Sequence, residues 1–114
     1  MKTLKTNYKV ATSDITVTVV VGNGQRGNTL VAVGSEELAN GPNITNLVIG
    51  NGSDVAGKAL TLLTTVSQTN TSTPDAVVTY RVRGGAQDRD YQLQEAFADG
   101  EVQIQFDGTV DLTA

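Results

Sequence analysis

Seven of the twelve carboxylates, Asp88, Asp90, Glu95, Asp99, Glu101, Asp107 and Asp111, fall in the last 27 residues, with Arg89 the only cation among them. Carboxylates gathered this densely are the raw material of a calcium site, because hard cations take about six to eight oxygens, often from loop carboxylates. The candidate ligands are Asp88 and Asp90 in one loop and Asp99 and Glu101 in the next. They converge only if both loops sit at one end of the molecule. Against that stands the strand expected between them, Tyr91 to Ala98, which at strand rise sets the loops ~25 Å apart. The spacing also matches no EF-hand loop. A calcium- or carbohydrate-binding module using these acidic loops is the alternative function that the segment carries.

Paired acids also raise glycoside hydrolysis, which needs two carboxyl groups ~5–9.5 Å apart across a cleft. The chain has no tryptophan and few aromatic residues, Tyr8, Tyr80, Tyr91, Phe97 and Phe106, with which to line one. It has no histidine and no cysteine, which removes the usual proton shuttles, thiol nucleophiles and zinc or iron–sulfur ligands. No Gly-x-Ser-x-Gly elbow occurs either. Neither catalysis nor a cofactor is expected.

Two glycine-rich segments, Gly22-Asn-Gly-Gln-Arg-Gly27 and Gly50-Asn-Gly-Ser53, follow strand-like sequence and look like one loop built twice. A phosphate cradle of this kind opens a helix N-terminus, whereas both segments are expected to lead into strands, so they read as hairpin loops. Arg81, Arg83 and Arg89 cluster around Gly84-Gly85. The cluster either docks an acidic partner or is balanced across the strands by carboxylates such as Glu95 or Glu101.

The elements that hold these groups are legible from composition. Valine, isoleucine and threonine are abundant, while glutamate and lysine, common on helix surfaces, are scarce. Branching at Cβ packs well on a pleated surface, so the chain reads as all-β with little or no helix. Alternation agrees: Ile15, Val17, Val19 and Val21 share one strand face, and Val102, Ile104 and Phe106 share another, with a bulge or bend expected at Gly108. Further strands are expected near Leu4–Val10, Thr29–Val33, Thr45–Ile49, Ala59–Thr69, Ala76–Arg83 and Tyr91–Phe97, about eight in all. Asn23-Gly24, Asn40-Gly41, Asn51-Gly52, Gly84-Gly85 and Asp99-Gly100 supply turns. The one helix candidate is a single turn at Ser35–Ala39. Ser67–Pro74 reads as a long exposed hairpin loop without packing duty.

At 114 residues the chain is expected to be one domain, 1–114, folded as an antiparallel β-sandwich of immunoglobulin-like or C2-like topology. The expected core includes Val17, Val19, Leu60, Leu62, Val66, Tyr80, Val82, Val102, Ile104 and Phe106. A net charge of −4 with dispersed cations argues against nucleic acid. The longest apolar run, Leu30 to Val33, is far shorter than a membrane-spanning helix. The lysines at positions 2, 5 and 9 precede no apolar stretch, so the chain reads as cytoplasmic or already processed.

What remains is a non-enzymatic role in protein–protein interaction or assembly, with the first and last strands as candidate edges. Val20, Leu63 and Val78 depart from clean alternation. Joined on one outer face, they would make an interface for a second copy or a protein partner, beside Arg81 and Arg83.

Overall fold

The computed structural model describes residues 2–114, and its regular structure is almost wholly strand. The strands are β1 (Lys2–Lys9), β2 (Asp14–Val21), β3 (Arg26–Val33), β4 (Glu36–Gly41), β5 (Ile44–Asn51), β6 (Ala59–Ser67), β7 (Asp75–Arg83), β8 (Arg89–Ala96) and β9 (Gln103–Thr113), with one helical turn, α1 (Gly52–Val55). They form a five-stranded sheet in the order β1-β9-β6-β3-β4 and a four-stranded sheet in the order β5-β2-β7-β8. Their inner faces meet in one apolar cluster, so the molecule is an all-β sandwich.

The ninth strand is β4, where a helical turn was expected from Ser35–Ala39. Gly34 has φ +60° and, with Ser35, makes a two-residue hairpin turn that sets Val33 opposite Glu36. Glycine in the first central position favours a hairpin turn that matches strand twist, and this overrides the mild helix preference of the glutamates that follow. The true helical turn lies two connections later, between β5 and β6, capped by the Asn51 side chain, which accepts from Ser53 N. The second glycine-rich segment therefore opens a helical turn and not a strand.

Alternation does place the core. Ile15, Val17, Leu60, Leu62, Val66, Tyr80, Val82, Ile104 and Phe106 are all buried. Val102 is not: β9 begins only at Gln103, and Val102 stands 67 % exposed in the preceding loop. Nor does Gly108 make a bulge, since β9 pairs with β6 without a break in register. A Cβ at Gly108 would lie 3.6 Å from the Tyr80 ring, an ordinary packing distance, so the glycine sits against that ring within a regular strand.

One polar chain crosses the core. The hydroxyls of Thr29 and Thr64, opposite each other on β3 and β6, lie 2.8 Å apart, and Thr64 reaches the Tyr80 hydroxyl of the other sheet at 2.7 Å. Burial pushes the Tyr80 phenol up to about 12, against a smaller downward pull from its Thr64 hydrogen bond. Burial also raises Tyr8 and Tyr91. Unfolding releases these phenols to ionise near their ordinary value of 10.0, so their stabilising contribution is complete below that pH and is lost as the pH climbs towards 12. For Tyr80 alone the loss is about 2–3 kcal/mol at ~1.4 kcal/mol per unit. Urea midpoints of wild type and Tyr80→Phe, compared across this alkaline window, check it: the wild type should fall more steeply.

Six of the connections cross from one sheet to the other, and only β3–β4 and β7–β8 are hairpins within a sheet. Both glycine-rich segments and Ser67–Pro74 are crossing arches, contrary to the hairpins expected of them. The turn dipeptides report local φ, which is positive at Asn23, Gly24, Gly84 and Gly100, but φ says nothing about which sheet the next strand joins. Asn40-Gly41 is no turn at all and lies extended within β4.

Ser67–Pro74 also packs. Gln25, a buried polar residue, accepts from the backbone N–H groups of Thr69 and Asn70 and donates to the carbonyls of Asn70 and Thr73. Asn70 Nδ2 in turn donates to Asn23 O, and Thr69 Oγ1 to Gly24 O. These bonds lock the two arches together at one end of the sandwich.

The sheet edges are β1, β4, β5 and β8. The expectation holds for the first strand, which carries three lysines, and fails for the last: β9 is interior, between β6 and a parallel β1. β5 is the one edge strand without a charged residue, and its Val48 is 52 % exposed.

Candidate functional site

The acidic candidates separate into two groups. Asp88 and Asp90 flank Arg89 at the β7–β8 hairpin, and both turn to Arg83: Arg83 Nη2 meets Asp90 Oδ1 at 2.8 Å and Arg83 Nε meets Asp88 Oδ2 at 3.7 Å. Arg83 Nη1 also donates to the Arg89 carbonyl. Asp99 and Glu101 lie beyond the opposite end of β8, where Glu101 Oε1 accepts from Ala98 N and closes the turn. Among the described residues no three His, Cys, Asp or Glu side chains gather closely enough to hold a metal ion.

The arginine cluster is thus balanced by its own hairpin and not by Glu95 or Glu101. Arg81 is exposed on the outer face, opposite Asp90 in register. Glu95 sits opposite the buried Ala76, with one carboxylate oxygen shielded and unpartnered.

The three apolar interface candidates do not meet. Val20 lies on the outer face of the four-stranded sheet, and Leu63 lies beside Leu30 on the outer face of the five-stranded sheet, across the core. Val78 is fully buried. It shares the parity of Tyr80 and Val82 along β7, so its side chain turns inward with theirs.

The neighbourhood of Val20 still differs from an ordinary polar surface. At the end of the sandwich where β2 stops, a groove is lined by Val19, Val20, Val21, Gln25, Arg26, Pro42 and Ile44. Its floor exists because the pairing of β5 with β2 ends at Val19 opposite Ile44. Val20 and Val21 pair with β7 on one side only; because Gly22 N donates to Val77 O, strand alternation turns the Val20 backbone groups to β7 as well and leaves those of Val21 uncovered. Pro42 explains the stop: it has no N–H to add to the ladder and holds the chain away from β2. Gly27 completes the groove by close approach, since a Cβ there would fall 2.5 Å from Val21 Cγ2.

Comparison with protein-family models, curated proteins and solved structures finds no match.

The groove's chemistry is therefore read from its own atoms. Its lining is valine, isoleucine, proline, glycine and neutral polar residues, with Arg26 the one ionisable side chain. A guanidinium has hydrogen-bond donors and no acceptor, so it suits an acidic group. An uncovered stretch of strand beside apolar side chains is the arrangement that accepts an extended peptide. Of these residues the sequence singled out Val20 alone. Pro42, just ahead of an alternating segment, was a usable signal, because proline there limits how far the next strand can pair.

Proposed function

We propose that the protein is a non-catalytic interaction module that takes an extended segment of a protein partner as an added strand along the uncovered end of β2. The observation that carries this reading is that β5 covers β2 only as far as Val19 opposite Ile44, which leaves the Val21 backbone open beside the exposed Val20 side chain. Main-chain hydrogen bonds along that stretch would give affinity, and the apolar lining would select the partner's alternate side chains. Arg26 favours a partner segment that carries an acidic group near its apolar residues.

A displayed library of random extended peptides, selected on the wild-type protein and then measured on Val20→Asp, tests the reading. Val20 is 39 % exposed, so the substitution leaves the core intact. Selected peptides should alternate apolar and polar residues and bind Val20→Asp at least about tenfold more weakly, a loss of ~1.4 kcal/mol. Peptides that bind both proteins equally, or a library that yields none, would overturn it.

A further inference from the structure

We infer that the occupant of the groove is a second copy of this chain, whose loop between β8 and β9 brings Val102 onto the exposed Val20. The inference rests on the reading of the groove as a strand-accepting site and names its partner.

Three large apolar side chains are exposed among the described residues, Val20, Val48 and Val102, and Val102 is the most exposed of them. It projects from the loop as an uncovered knob, while Val20 belongs to the uncovered groove. Knob and groove occupy the same end of the sandwich. Gln68 N donates to the Val102 carbonyl at 2.8 Å, which ties the loop to the end of β6, and there Ser67 stands opposite Arg26 in register. Within one chain the two do not meet, because Val102 is held at the surface beside β6 and remains two-thirds exposed. A surface that carries a knob and its socket side by side is self-complementary under a two-fold rotation: each copy supplies Val102 to the other, and the assembly closes at two.

Charge points the same way. Arg26 makes no ion pair among the described residues and is the only ionisable group lining the groove. The loop that carries Val102 also carries Asp99 and Glu101, with no cation between Phe97 and the chain's end. When Val102 enters the partner's groove, these carboxylates approach the partner's Arg26, the one cation available to receive them there. Two of the edge strands oppose like charges between copies, lysines on β1 and glutamates on β4, and β5, which carries no charge, offers Arg26 no carboxylate.

Sedimentation equilibrium on the full chain, from low micromolar to low millimolar, is the experiment. The wild type should pass from monomer to dimer. Val102→Asp and Arg26→Glu should each weaken the dimer at least tenfold while keeping the wild-type circular dichroism. Combining Arg26→Glu with Asp99→Lys should restore it, because the pair is reversed on both copies at once; Asp99 is chosen because Glu101 also closes its own turn. A wild type that stays monomeric would overturn the inference, as would a dimer insensitive to Val102→Asp or one abolished by Val48→Lys alone. A monomer that still binds library peptides through Val20 would remove the second copy and leave the groove reading standing. A monomer that binds none would remove both.

Discussion

Replacing Tyr80 with alanine is expected to cost about 3–5 kcal/mol, a large share of the ~5–15 kcal/mol that holds a domain of this size. Tyr80 is fully buried, packs beside Gly108, and is the four-stranded sheet's contribution to the hydroxyl chain that reaches Thr64 and Thr29. Its removal leaves a cavity between the sheets. Tyr80→Phe separates the two contributions, since the ring stays and only one hydroxyl is lost. Thr29 and Thr64 still satisfy each other in that variant, so its cost should be only about 1 kcal/mol. Urea unfolding of both variants gives the comparison directly. Equal losses for the two would mean that the hydroxyl, and not the packing, carries the residue's weight.

Gly84→Ala should be nearly as damaging despite adding one methyl group. Gly84 has φ +95°, and a Cβ there would lie 2.0 Å from the Asp14 carbonyl oxygen, a backbone atom with no freedom to withdraw. The Ser13 hydroxyl already donates to the Gly84 carbonyl at 2.6 Å, which fixes this crossing of chains. The unfavourable backbone adds ~1–2 kcal/mol and the overlap ~1–3 kcal/mol, for a total of about 2–5 kcal/mol. Two further glycines calibrate the result. Gly100, with φ +80° and open space around its would-be Cβ, isolates the backbone cost, and Gly41, unstrained and open, should tolerate alanine with almost no change. Thermal melts that rank Gly84, Gly100 and Gly41 in any other order would show that the clash at Asp14 is relieved by movement of the loop.

Parity along a strand was the most transferable information in the sequence. It places Ile15, Val17, Leu62, Tyr80 and Phe106 in the core because the side-chain period of a strand leaves no choice once one face is buried. The same rule, carried through, puts Val78 inside with Tyr80 and Val82. It misled at Val102, where alternation continues in the sequence but the strand has not yet begun. Sheet membership was illegible for a different reason. A glycine or asparagine at positive φ marks a reversal, but whether the chain returns to its own sheet or crosses to the other depends on distant packing, such as the grip of Gln25 on residues 69–73. The groove was illegible on the same ground. It is defined by where one strand stops covering another, and no single residue announces that. Its chemistry, apart from Val20 and Pro42, emerges only after Arg26 and Ile44 have been brought together from separate strands.

The pairing of β1 with β9 joins the two ends of the chain: Lys2 lies opposite Phe106 and Lys9 opposite Thr113, in parallel. Of the nine strands β1 is made before the others and is thus among the last to find its neighbour, because the position beside it is filled only when β9 has been made. Until then β1 must wait as a solvated ribbon. Its three lysines suit that interval, since like charges along the ribbon discourage it from pairing with the β1 of another nascent chain on the same polysome. Completion of the five-stranded sheet then waits for β9, and the slow, non-local closure that this topology imposes comes after β2 to β8 have had time to order.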